Sequence, residues 1–315
     1  MARPLSTRMA FGNTLLDIAK TNPNFVVCNA DTKTCNLDKF RDEFPEREFS
    51  FGIAEQNMVA GAAGLASCGN KVFLATFAVF ASMRACEQVR TFVCHTNLDV
   101  TIVGTHTGLQ VGGDGATHAA IEDVSIMRSF PNMTIIQPAD AIAAKAMTYA
   151  AVDFKGPLYI RLHRNAVPDF YNSEEYEFEI GKAHTVCEYG DNLTIICSGI
   201  LLGKAAAAAE ILKKEGIGIR LIDTATIKPL DKEAVIRAAE ETGAILTVED
   251  HTILGGLGSA VAEIVVENCP VPMQRIGVHD RFGESGDSEL LYREHGMDIN
   301  SIVEKAKVLL QRKQK

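Results

Sequence analysis

Apolar positions along the chain alternate between two rhythms. Short, nearly continuous apolar runs, the habit of strands buried on both faces, occur at Phe25–Cys28, Lys71–Ala75, Val100–Gly104, Thr134–Gln137 and Leu158–Arg161. Between them lie stretches with helical spacing, at residues 9–20, 55–68 and 81–94 and in the Ala-rich segment that follows Pro138 and ends at Tyr149. The same alternation resumes with strands expected at 193–197, 217–223, 244–249 and 273–278. Helices are expected there at 203–215, 231–242, 256–268 and 300–312. Strands alternating with helices predict an α/β fold of mostly parallel sheets with helices on both faces. Residues 165–190 break the rhythm, being acidic and aromatic without a long periodic segment. Two open α/β domains are therefore expected, at 1–170 and 186–315, joined by a linker at 171–185.

A length of 315 residues agrees with two domains. Hydrophobic residues make up 47% and charged residues 23%, enough apolar material for both cores. The net charge is −9 and no long basic run occurs, which speaks against a nucleic-acid partner. The eight cysteines form no CxxC pair, and several lie inside apolar runs. They read as reduced thiols, and the chain as cytoplasmic. The N-terminus shows no apolar leader core, and no run of about 18 apolar residues occurs, so no membrane span is expected.

In open α/β sheets ligands bind beyond the carboxyl ends of the strands. That rule draws Asp31, Thr76–Phe77 and the loop after Val103 toward one place. Three stretches there carry chemistry. TFAVFASMR (76–84) brings Phe77 and Phe80, which read plainly as core residues when taken alone. GTHTGLQVGGDGATH (104–118) holds His106, Asp114 and His118 in a glycine-rich loop, the kind of segment that carries function. IRLHRN (160–165) places Arg161 and Arg164 after a strand, and arginine suits carboxylates and phosphates because its fork binds two oxygens. The most pointed oddity is Glu55, a carboxylate in the small, apolar stretch FGIAEQNMVAGAAGLA (51–66). A buried charge must be paired, protonated or used. A helix N-terminus alone would also favour it. Gly61 and Gly64 give this helix a thin face suited to close packing against a backbone. The GDG at 113–115 sits mid-loop and no NN pair occurs in the chain, so no metal is assigned to Asp114.

Taken together, GIAEQ (52–56), TFAVF (76–80), THTGLQVGGDGATH (105–118), QPAD (137–140) and RNAVP (164–168) resemble the C-terminal half of transketolase. The resemblance covers nearly the whole chain: a pyrimidine-binding domain followed by a transketolase C-terminal domain. It implies a split transketolase of the pentose phosphate pathway, with an N-terminal partner subunit supplying the other half. The implied cofactor is thiamine diphosphate, with Mg²⁺ ligands on that partner. The implied assembly is α2β2, in which this chain pairs with itself. The implied reaction moves a two-carbon ketol unit between sugar phosphates.

Residue by residue, the resemblance places Glu55 against N1′ of the aminopyrimidine as a proton relay. It sets Phe77 and Phe80 beside that ring, and Met83 where a third aromatic often stands. Asp31 matches an acid on the thiazolium side. His118 matches a histidine near the reacting carbon. Arg8, His106, Asp114 and Arg164 match contacts to the sugar and its terminal phosphate. Cys35 stands where a phosphate-binding serine is usual, and a thiol is a weak donor. An unusual substrate, such as a sulfonate or sugar acid, is therefore a second reading. A 2-oxo-acid dehydrogenase beta subunit, a deoxyxylulose phosphate synthase and a non-catalytic sugar binder compete with it. VEDHTILGGLG (248–258) and HDRFGESGD (279–287) are expected to serve packing and dimer contacts.

Overall fold

A computed structural model describes residues 4–32, 34–173 and 175–313. Its strands are β1 (Phe25–Asn29), β2 (Glu48–Ser50), β3 (Lys71–Phe77), β4 (Val100–Thr105), β5 (Thr134–Ile136), β6 (Leu158–Arg161), β7 (His184–Glu188), β8 (Leu193–Cys197), β9 (Ile219–Asp223), β10 (Thr226–Lys228), β11 (Ile245–Thr252) and β12 (Met273–Val278). Its α-helices are α1 (Thr7–Ala19), α2 (Leu37–Glu43), α3 (Glu55–Ser67), α4 (Cys86–Gln88), α5 (Asp123–Arg128), α6 (Ala141–Asp153), α7 (Leu202–Lys214), α8 (Lys232–Thr242), α9 (Leu257–Asn268), α10 (Ser288–Glu294) and α11 (Ile299–Lys313).

The strands form two sheets, in the orders β10-β5-β6-β4-β3-β1-β2 and β12-β11-β8-β9-β7. Every pairing is parallel except β10 with β5 and β7 with β9, both at sheet edges. The expected α/β class is what the chain adopts.

Side chains alternate along the strands, and both faces of each sheet are buried in its centre, the edge strands β2 and β7 being largely exposed. On the first sheet, Cys28, Leu74, Ile102 and Tyr159 face one core together with α3. Their neighbours Val27, Phe73, Val103 and Ile160 face the other, with α1 and α6. The second sheet divides likewise, with Ile195, Leu221 and Leu246 on one side and Ile196, Ile222 and Ile245 on the other. Each fully buried side chain of this size contributes about 1.5–3 kcal/mol of transfer free energy.

Three departures from the sequence-based expectation bear on the site. Residues 81–94 are not one regular α-helix: π-helical turns at Phe80–Arg84 and Val89–Cys94 flank α4. Such turns widen a helix by one residue and often sit at functional places. Secondly, β10 comes from the second half of the chain yet completes the first sheet, so the two halves share an edge. Thirdly, Gly61 accommodates the ring of Phe51 rather than a backbone, and a Cβ on Gly64 would meet no atom of another described element within 4 Å.

Helix α1 illustrates how close packing sets up the site. A Cβ on Gly12 would fall inside contact distance of the Cys35 carbonyl, so glycine lets the helix pass directly beneath the turn at 34–36. In QPAD, Asp140 caps α6 by accepting from the Ala143 N–H at 2.7 Å, and its other oxygen accepts from the Phe170 and Tyr171 N–H groups. No helix among the described residues is long and apolar enough to cross a membrane.

Candidate functional site

The carboxyl ends of β1, β3, β4 and β6 meet over one patch. Thr105 at the end of β4 donates to the Thr76 carbonyl at 3.3 Å. The next residue, His106, stacks on Phe77 with ring centroids 3.9 Å apart. Phe77 and Phe80 lie parallel, 5° between planes and 5.7 Å between centroids. His118 meets both rings edge-on, at 5.9 and 5.5 Å. The site thus has a flat aromatic wall with two imidazoles against it. Left-handed backbone recurs here outside glycine: Asp31, Cys35, Asn36 and His106 all have φ between 54° and 59°. Such conformations persist where surrounding structure enforces them, and they gather at functional sites.

Glu55 opens α3 and is only 2% exposed. Its two oxygens accept from one nitrogen of Arg84, at 2.9 and 3.0 Å. The Arg84 guanidinium lies over the face of Phe80, 4.0 Å from the ring centroid. A flat nitrogenous group therefore already spans the carboxylate and the aromatic ring. Sequence reasoning misses Arg84. Its place at the end of TFAVFASMR is the only signal, because the contact to Glu55 spans 29 residues.

The cationic side of the patch gathers Arg8, Arg164 and Asp114. Arg8 Nε donates to the Arg164 carbonyl at 3.0 Å. Arg164 Nη1 donates to the Val111 carbonyl at 2.6 Å and to Asp114 at 3.0 Å. His106 is buried beside them. Burial, then the charges of Arg8 and Arg164, push its pKa down to about 3, so it is neutral at physiological pH. A neutral imidazole offers one donor and one acceptor, which suits a hydroxyl rather than an anion. Asp31 is exposed at the end of β1.

Two expected residues are placed differently. Cys35 is 0% exposed and packs in the core with Leu37 and Phe40. Its side chain is not open to a ligand, because the left-handed turn at 35–36 directs it inward. Burial pushes the thiol up to about 12. Alkylation of the native protein at neutral pH should therefore modify exposed Cys68 and leave Cys35 untouched, as peptide mass mapping will show. Rapid labelling of Cys35 would contradict this placement. Arg161 is also fully buried, and its fork is spent on Asp123.

Glu249, Asp250 and His251, in a stretch expected to serve packing and dimer contacts, are buried inside the chain. Glu249 accepts from the Leu257 and Gly258 N–H groups at the start of α9. The glycine-rich start of α9 at 255–258 thus packs on a carboxylate, and a Cβ on Gly256 would run into it.

The family model "Transketolase, pyrimidine binding domain" matches residues 3–169, and "Transketolase, C-terminal domain" matches residues 181–302. The chain belongs to the transketolase family. Membership implies dependence on thiamine diphosphate. A 6-deoxy-6-sulfo-D-fructose transketolase subunit of Clostridium sp. (strain MSTE9) is 40% identical over 97% of this chain and 95% of its own. Transketolase of Rattus norvegicus is 37% identical over 97% of this chain but only 49% of its own length. Among solved structures, "Split gene transketolase, inactive beta4 tetramer" superposes with a TM-score of 0.90 and 41% identity. That match covers 98% of this chain and 99% of the other. This chain is thus similar throughout to split-transketolase subunits.

Proposed function

We propose that this chain is the C-terminal subunit of a split, thiamine diphosphate-dependent transketolase. It would transfer a two-carbon ketol unit from a ketose to an aldose together with an N-terminal subunit. Its extent corresponds to about half of the rat enzyme, and in this reading the missing half supplies the diphosphate and Mg²⁺ ligands. Residues 1–170 then form the pyrimidine-binding domain, 171–185 the linker and 186–315 the C-terminal domain. Two copies of this chain would pair within an α2β2 complex.

The observation that carries the reading is the Glu55–Phe80 pair. The planar Arg84 guanidinium donates to the carboxylate while lying on the ring. An aminopyrimidine makes the same demands: a carboxyl at one edge and an aromatic face beneath. Glu55, Phe77 and Phe80 are therefore the residues that would hold it. When bound, the cofactor supplies an electron sink for carbon–carbon cleavage. Glu55 holds and moves the proton at the ring nitrogen. Phe77 and Phe80 orient the ring and exclude water. His118, at the edge of both rings, is placed to shuttle a proton at the reacting carbon. Neutral His106 would take a sugar hydroxyl, Asp31 would stand toward the thiazolium, and Arg8 with Arg164 would take a terminal anion. Asp114 orients Arg164.

A second reading concerns that anion. The serine expected at position 35 is absent and Cys35 is turned into the core. The arginines alone would then choose the anion, and a sulfonated sugar meets the same pair as a phosphate does. Similarity to a sulfofructose transketolase subunit favours testing it.

Calorimetry tests the proposal. Thiamine diphosphate with Mg²⁺ should bind only when this chain is mixed with its N-terminal subunit, and the mixture should transfer a ketol unit. Tight binding by this chain alone would overturn the split reading.

A further inference from the structure

The second sheet has its own crevice for a ligand. Strand β8 has β9 on one side and β11 on the other, so the order reverses between β8 and β11. In an open α/β sheet this is where a small molecule binds. Here the crevice is filled by the loop that carries His106, Asp114 and His118. Leu109, at the centre of that loop, is 1% exposed and belongs to the second sheet's hydrophobic core.

The contact is specific as well as apolar. Asp250, near the end of β11, accepts from the Leu109 N–H at 2.9 Å through Oδ1. Its Oδ2 accepts from the Tyr292 hydroxyl at 2.7 Å. A Cβ on Gly108 would run into this carboxylate, and Gly108 has a φ of 66°, so the loop is shaped to receive it. The Asp250 carbonyl accepts from Arg161 Nη2 at 2.9 Å. A buried carboxylate with two donors and a fixed backbone is held rigidly.

We infer that Asp250 is a positioning residue, through which the C-terminal half of the chain sets the geometry of the substrate-binding loop. The loop's role rests on the function proposed above; its anchoring does not. With Asp250 in place, His106 stays stacked on Phe77 and His118 stays at the edge of both rings. A misplacement of about 1 Å at such groups costs about 100-fold in rate.

Amide hydrogen exchange on this chain tests the anchoring directly. Asp250→Ala should speed exchange at residues 108–112 by about tenfold or more, the worth of a hydrogen bond to a charged group. Protection of β8 and β11 should be retained. Asp250→Asn, which keeps an oxygen for the Leu109 N–H, should restore most of the protection. If Asp250→Ala fails to fold, Tyr292→Phe removes one support of the same carboxylate and should loosen the same residues. In the two-subunit enzyme, Asp250→Ala should raise the KM of the sugar about tenfold or more. Thiamine diphosphate affinity should stay within about twofold, since the loop is not its seat. Wild-type exchange at 108–112 in both variants, or an equal rise across both sheets, would overturn the inference. Absence of ketol transfer by the wild-type complex would instead sink the functional reading and leave the exchange result standing.

Discussion

In the proposed two-subunit enzyme, Glu55→Ala is expected to lower kcat by about 10²–10⁴-fold, the range for removal of a positioned general acid or base. The chain should remain folded and assembled. Glu55 is held by Arg84, whose side chain is 47% exposed and can turn to water. The loss is therefore one of chemistry rather than of stability. Glu55→Gln should lose nearly as much, because an amide can hydrogen-bond a ring nitrogen but cannot exchange a proton with it. Steady-state kinetics beside a melting curve for each variant separates the two effects. Activity within about tenfold of wild type would remove Glu55 from the proton relay. The Arg84 contact sharpens the test. Under the proposed function, an aminopyrimidine seated between Glu55 and Phe80 would have to displace the guanidinium from both. Arg84 would then remain nearby as a cation beside the carboxylate.

Much of this architecture is legible in residue order, and the exceptions share a cause. The long helices α3, α6 and α7 and the buried strands β3, β4 and β8 announce themselves by local periodicity. Strand β10 does not. Its three residues make sense only beside β5, about 90 positions earlier, on a sheet belonging to the other half of the chain. The pattern predicts that β11 stops at Glu249, where the apolar run ends. It runs on to Thr252, since Arg161, Tyr292 and the Leu109 N–H satisfy the polar groups that would otherwise end it. The short helices α2, α5 and α10 carry too few residues for a periodic signal. At the candidate site, the residue types follow from motifs and the strand-end rule. Distances do not. The stacking of His106 on Phe77 and the Glu55–Arg84 contact join segments 29 residues apart. Nothing local distinguishes Arg161, spent in the interior, from Arg164, half-exposed at the patch.

That last contrast leads to the largest stability effect. Arg161→Met should destabilise the chain by about 3–5 kcal/mol, as expected when one partner of a buried ion pair is removed. Arg161 is fully buried and grips both oxygens of Asp123, with Nε at 2.9 Å from Oδ2 and Nη2 at 3.1 Å from Oδ1. It also donates to the carbonyls of Ala120 and Asp250, one from each half of the chain. Without it, the Asp123 carboxylate would keep the Tyr159 hydroxyl at 2.7 Å and the His251 ring nitrogen 3.9 Å away, in a setting with no access to water. Two backbone carbonyls would lose a donor as well. The urea midpoint should fall accordingly. The double variant Arg161→Met with Asp123→Leu should recover part of the loss, because no charge is then left unpaired. A matching loss in the single and double variants would assign the cost to the two carbonyls rather than to the ion pair. A loss below about 1 kcal/mol for Arg161→Met would mean that water reaches this site. In that case the seam between the halves would rest on its other contacts, among them Leu109 and Ile121 in the apolar core, the Leu109 N–H on Asp250 and the pairing of β5 with β10.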